Sequence, residues 1–252
     1  MFRLFAFVVF LLIGSQKWAA AEPPVILVAP EEHPYNYVED GHITGMFVEI
    51  VREAFRRAGH AVEIRLLPWP RCMEEVRFGR ADGMYVVYKT PEREQIFDFT
   101  GQPLEFLHEH FFVRNASALG LEIDKEFTAL RGKRVGILAF TKHSDKVTRA
   151  MEKGALGKVV AVNSYETLAR MLESGRLDAV LAVRDPMVTA LHAVGAADLV
   201  RQVEPDVDVI PAFLVLTKMR DLSGLRADYD RALTAMKADG SYDKLIAAYT
   251  PR

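Results

Sequence analysis

Residues 68–100 read PWPRCMEEVRFGRADGMYVVYKTPEREQIFDFT, and the punctuation of this stretch decides the local fold. After Trp69 between two prolines, Cys72, Met73 and Val76 follow a short helical pattern that Gly79 stops. From Ala81 to Tyr88 the residues are β-like. Tyr85 and Tyr88 fall on opposite faces of a regular strand, so Tyr88, nearer the carboxyl end, is the one to face a cleft there. Thr90 can then cap a new helix with Pro91 in its first position, which leaves Arg93 at the helix start. A guanidinium beside free backbone N–H groups is a receptor for a carboxylate. The same spacing also fits a solvated Arg paired with Glu92, Glu94 or Asp98.

Upstream, the chain opens as strand, loop, helix, strand. Residues 25–29 are a short apolar run, and Phe47, Ile50, Val51, Ala54, Phe55 and Ala58 recur at helical spacing up to Gly59. A second strand, residues 62–66, leads to Trp69, so the opening is a βαβ unit with a parallel sheet. The turn-rich loop at residues 30–45, with Glu32 and Tyr35, thus lies at a strand's carboxyl end, where open α/β sheets bind ligands.

Downstream, residues 104–115 are β-like and carry His108, Glu109 and His110. Two histidines at alternate strand positions face one way and could share a metal, but no third ligand stands at a suggestive spacing, and no metal is assigned. A second βα series follows from residue 132, in which Asn163 and Glu166 have the spacing of a capping box. Its run Gly175-Arg176-Leu177-Asp178-Ala179-Val180 parallels Gly79-Arg80-Ala81-Asp82-Gly83-Met84, a helix-ending Gly followed by a strand-opening Asp, and both Asp residues read as structural. Asp185-Pro186 has the form of a helix cap. Residues 203–208 are polar, residues 209–217 form another apolar strand, and the C-terminus is helical.

The N-terminal 21 residues read as a signal peptide: Arg3, an apolar run over residues 4–13, and Ala19-Ala20-Ala21 before Glu22. Without Arg3 and Lys17 the 32 basic residues become 30 against 34 acidic ones, a net charge of −4 with no nucleic-acid footprint. Cys72 is the single cysteine, so no intrachain disulfide forms, and its apolar neighbours make it a core thiol.

The runs quoted from Gly79, Lys89-Thr90-Pro91-Glu92-Arg93-Glu94, Phe97-Asp98-Phe99-Thr100 and the closing Asp239-Gly240-Ser241-Tyr242 resemble the family 3 extracellular solute-binding proteins. The resemblance implies a type II periplasmic binding fold: α/β, two lobes, each a mostly parallel sheet flanked by helices, and two crossover strands. It places the first lobe at residues 22–113, the second at 114–211, and the return to the first with the C-terminal helices at 212–252. It implies a periplasmic, monomeric binder of a small ligand carrying a carboxylate, without enzymatic activity or cofactor, that serves an inner-membrane ABC permease or a membrane sensor. The ligand is expected between Glu32, Tyr35, Trp69, Arg71, Tyr88 and Arg93 from the first lobe and Thr141, Arg184 and Asp185 from the second. Phe140 replaces the family's usual Gly before Thr141, and Val183 stands where amino-acid binders place the Asp that holds the ligand's ammonium. A secreted dehydratase of the same fold is the alternative, with Glu32 or His33 as general acid and Arg71 and Arg93 as carboxylate clamp.

Overall fold

Apolar runs broken by glycine and proline become a nine-stranded mixed sheet with helices packed on it. The computed structural model describes residues 23–117, 123–124, 126–139 and 141–250; the expected signal peptide and Phe140 lie outside them. In chain order the elements are β1 (Val25–Ala29), β2 (Tyr37–Glu39), β3 (His42–Thr44), α1 (Met46–Arg57), β4 (Val62–Leu66), α2 (Trp69–Arg77), β5 (Gly83–Tyr88), α3 (Pro91–Ile96), β6 (Phe97–Phe99) and β7 (Glu105–Arg114). There follow β8 (Arg134–Leu138), α4 (Asp145–Glu152), β9 (Lys158–Val162), α5 (Tyr165–Glu173), β10 (Ala179–Val183), α6 (Arg184–Ala193), β11 (Val200–Thr217), α7 (Ser223–Ala238) and α8 (Ser241–Tyr249).

The strand order is β4-β1-β5-β11-β7-β10-β8-β9, with β6 also on β11. Pairs β1–β4, β1–β5, β8–β9 and β8–β10 are parallel, whereas β7 and β11 run antiparallel to each other and join the two parallel halves. Each half has its own core on both faces. In the first, Leu27, Phe47, Ile50, Phe55 and Tyr229 cluster under α1 and α7, and Val28, Cys72, Val76 and Met84 under α2. In the second, the neighbours Phe111 and Phe112 on β7 alternate, one into the cluster under α4 and the other into that under α5 and α6. Each large side chain so buried contributes roughly 1.5–3 kcal/mol. Burial also pushes the Cys72 thiol up to about 12, which makes it inert.

The repeated Gly-to-Asp device is one structure used twice. Asp82, just before β5, accepts the backbone N–H of Ile26 at 2.7 Å, and Asp178, just before β10, accepts that of Arg134 at 2.8 Å. Each carboxylate thus fastens the start of the neighbouring parallel strand, and each also pairs with an arginine, Arg220 or Arg134. The loop before α1 needs Gly45 for a different reason. Its φ is 125°, and a Cβ there would meet the Tyr35 carbonyl oxygen at 2.4 Å, the atom that accepts the Phe47 N–H.

Four local readings are corrected. Tyr85 and Tyr88 pack against the same cluster, because Val86 at φ 64° and a register shift against β11 reset the alternation of the strand. The cap of α5 is Ser164, whose hydroxyl accepts from the Thr167 N–H, and not Asn163. Asp185 lies inside the first turn of α6, which begins at Arg184. Lastly, β11 starts at Val200, because its polar stretch is held between ladder pairs: Val203 faces Phe111 and Asp208 faces Glu109, so residues 204–207 bulge out opposite His110.

Candidate ligand cleft

The carboxyl ends of β1, β4, β5, β8 and β9 converge on one cavity of about 450 Å³. This is where a parallel sheet opens space for a ligand. Five of the nine expected residues line it: Glu32, Trp69, Tyr88, Arg93 and Thr141.

Arg93 is placed by its own helix start. The Thr90 hydroxyl accepts the Arg93 N–H at 3.3 Å and closes the turn after β5. The side chain then donates from Nη1 to the Tyr88 carbonyl at 2.9 Å, and its guanidinium carbon lies 5.2 Å from the Trp69 ring centroid. Burial lowers the Arg93 pKa from the ordinary guanidinium value, and among the described residues no carboxylate ion-pairs with it. A half-buried guanidinium with donors to spare, stacked on an indole, is built for a planar anion.

Glu32 faces the opposite chemistry. Its backbone bridges to Asn36, and burial pushes its carboxyl up to about 7 against a hydrogen bond from Tyr165 that lowers it. The phenols of Tyr88 and Tyr165 are pushed well above their ordinary value, mainly by the same burial. Tyr165, Lys142 and Asn163 also line the cavity and were not expected there from sequence. The signal for Tyr165 lay in its place as the first residue of the helix after β9, the position that Trp69 holds after β4 in the other half.

The remaining four expected residues are elsewhere. Tyr35, Arg184 and Asp185 line a second cavity of about 200 Å³, where Arg184 Nη1 lies 2.7 Å from Asp185 Oδ1. Tyr35 is fully buried there, its ring centroid 4.4 Å from that of Phe47. Arg71 lines neither cavity: both its terminal nitrogens are taken, by Glu74 and Glu75 at 2.8 Å each, on the exposed side of α2.

The sequence model of the bacterial extracellular solute-binding proteins, family 3, matches residues 25–252. The chain belongs to this family. Solute-binding proteins of this kind are normally periplasmic or secreted, and no helix among the described residues is long and apolar enough to cross a membrane. A curated relative, the probable amino-acid-binding protein YxeM of Bacillus subtilis (strain 168), is 25% identical over 223 residues, 87% of this chain and 80% of that one. In fold the solute-binding protein matches a histidine kinase sensor domain with similarity to periplasmic binding proteins, at TM-score 0.75 and 19% identity over 91% of this chain and 96% of the other. It also matches an ancestral arginine-binding protein bound to arginine, at TM-score 0.73 and 21% identity over 90% and 98%.

The pair His108 and His110 acquires a partner that sequence spacing did not offer. Asp206 comes from the bulge of β11, and one ligand atom from each of the three residues lies within 4.8 Å of the others.

Proposed function

We propose that the protein captures a small, polar, amino-acid-like solute bearing a carboxylate, and presents it to an inner-membrane ABC importer. The observation that carries this reading is Arg93, stacked on Trp69 and without an ion-pair partner among the described residues, in the main cavity. The carboxylate meets Arg93, while Glu32 and the phenols of Tyr88 and Tyr165 receive the polar or cationic end. Thr141 and Lys142 add donors from the other half. Residues 22–113 with 212–252 form one lobe and residues 114–211 the other, and closure is a hinge motion through β7 and β11. The ligand shifts the protein toward the closed form only by its better fit there. The chain acts as a monomer, after removal of residues 1–21, and catalyses no reaction.

A thermal-shift screen of residues 22–252 against amino acids, small di- and tricarboxylates and polyamines tests the reading. At 100 times Kd a ligand raises Tm by roughly 5 to 10 °C for a chain of this size. The rise is expected with wild type and not with Arg93→Ala. Consumption of a dicarboxylate, lost in Glu32→Gln, would replace the reading by the dehydratase one. The likeness to a histidine kinase sensor domain supports a second reading, in which a membrane sensor reads the closed form; complementation of an importer lacking its binding subunit distinguishes the two.

A further inference from the structure

Outside the main cavity, β7 and β11 carry a further cluster, of which His108 also lines the second cavity. His108 and His110 are alternate residues of β7, so their imidazoles leave the same face of the sheet, with ring centroids 6.5 Å apart and an interplanar angle of 21°. Opposite them β11 leaves its ladder for residues 204–207, and that bulge brings Asp206 back over the pair. Its Oδ2 lies 2.7 Å from His108 Nδ1.

We propose that His108, His110 and Asp206 bind a divalent transition-metal ion, Zn²⁺ in the first instance, which fastens β7 to the bulge of β11. The donor set is two imidazoles and one carboxylate, the composition of three-ligand zinc sites that leave a fourth position for water. Imidazole donors select zinc, nickel or copper over magnesium and calcium, which take oxygen ligands. The three donor atoms all lie within 4.8 Å of one another; donors of a tetrahedral site with bonds of about 2.0–2.2 Å stand about 3.4 Å apart, so the His108–Asp206 pair at 2.7 Å opens on binding and any wider pair closes by up to about 1.4 Å, within reach of side-chain rotation.

The surroundings fit the same ion. His110 is buried, and its Nδ1 lies 3.3 Å from the Val203 carbonyl, a contact of the kind that orients a metal-binding histidine; Nε2, 3.5 Å from the Gln202 side-chain amide, exchanges that contact for the ion. Glu204 Oε2 stands 3.8 Å from His110 Nδ1, on a side chain exposed enough to turn toward an ion. Glu204, Asp206 and Asp208 lie within five residues of β11, and no lysine or arginine ion-pairs with any of them among the described residues. His108 is half-exposed, so an ion from solvent can reach the site.

The bulge explains why the pair alone is not enough. A β11 that continued its ladder without the three extra residues would set one residue opposite His110 and leave no carboxylate above it. The ion would close the loop between two segments almost a hundred residues apart in sequence, at the strands that any lobe motion must bend.

The experiment is zinc titration calorimetry on the untagged protein, residues 22–252, stripped with chelator and exchanged into metal-free buffer. The variants are His108→Ala and Asp206→Asn, both at exposed or half-exposed side chains, with His42→Ala as a histidine control on β3. Circular dichroism confirms that each is folded. One equivalent of Zn²⁺ is expected in wild type and His42→Ala, with affinity at least about tenfold lower in both site variants, since even residues that merely orient metal ligands are worth 10–100-fold. Hydrogen exchange is expected to slow on adding Zn²⁺ at residues 203–209 in wild type and to stay unchanged in Asp206→Asn. Absence of binding at millimolar zinc overturns the proposal. So does zinc binding whose affinity survives either site substitution, or binding that leaves exchange at residues 203–209 unaltered.

Discussion

Arg93 and Trp69 come from two different helix starts and meet in one cavity, the guanidinium carbon over the ring and 5.2 Å from its centroid. Each follows a parallel strand's carboxyl end, β5 for Arg93 and β4 for Trp69, so the sheet sets the distance between them. The stacking holds a long, otherwise mobile side chain in one orientation before any ligand arrives. Arg93→Ala is expected to weaken a carboxylate ligand at least about 30-fold, from the roughly 2–5 kcal/mol that truncating one partner of a buried charge pair costs. Arg93→Lys should recover only part of this, because an ammonium lacks the planar fork. Calorimetric titration with the ligand found by screening measures both; an unchanged Kd in Arg93→Ala would remove Arg93 from the site.

Glu32 gives the protein a pH-dependent stability. Its carboxyl is raised by burial from 4.5 to about 7, so the folded form holds this proton more tightly than the unfolded chain does. The stabilisation is therefore complete below pH 4.5 and declines as pH rises through 7, by at most about 3 kcal/mol. Urea titrations between pH 4 and 8 should show this decline in wild type and a flatter profile in Glu32→Gln. A ligand with a cationic end near Glu32 should also expel a proton on binding at pH 6, seen as a dependence of the calorimetric heat on buffer.

A buried side-chain hydrogen bond ties β7 to the second half. His143 Nδ1 lies 2.9 Å from Glu109 Oε1, with both side chains 5% exposed or less. His143→Ala leaves the buried Glu109 without its imidazole partner and is expected to destabilise the fold by about 1–3 kcal/mol. The double substitution Glu109→Leu with His143→Leu should recover most of that loss, since no buried polar group is left without its partner. Equal instability of the single and double variants in urea would contradict this account.

Asp82 and Asp178 are expected to behave alike because they do the same work. Replacing either with Ala leaves a strand-opening N–H, of Ile26 or of Arg134, without its acceptor. Each change should cost about 1–3 kcal/mol of stability and leave ligand affinity within twofold. A large change in Kd for either would assign that Asp to the cleft.

The fold was legible because its signals are local. Gly79 does stop α2, Thr90 does cap α3, and the Gly-to-Asp runs mark corresponding strands in the two halves. The site was legible in part. Trp69, Tyr88 and Arg93 follow from knowing which loops end parallel strands, but Arg71, two residues beyond Trp69, turns on α2 toward Glu74 and Glu75. Helix phase decides that, and the choice of ion-pair partner within one turn is worth too little to print itself on the sequence.

By itself, then, the sequence determined the order of elements, the family, the turns that present Arg93 and Trp69, and the paired Asp devices, all set by contacts within a few residues or by a motif. Tertiary structure alone decided that Tyr165 faces Glu32, that Tyr35, Arg184 and Asp185 share a smaller cavity, and that Asp206 completes a cluster with His108 and His110. These depend on lateral strand order and on the bulges at Val86 and at residues 204–207. Because side chains alternate with a period of two, an odd number of inserted residues turns every later side chain to the other face; the polar run with Pro205 marks where β11 bulges, whereas nothing in residues 83–88 marks the reset at Val86.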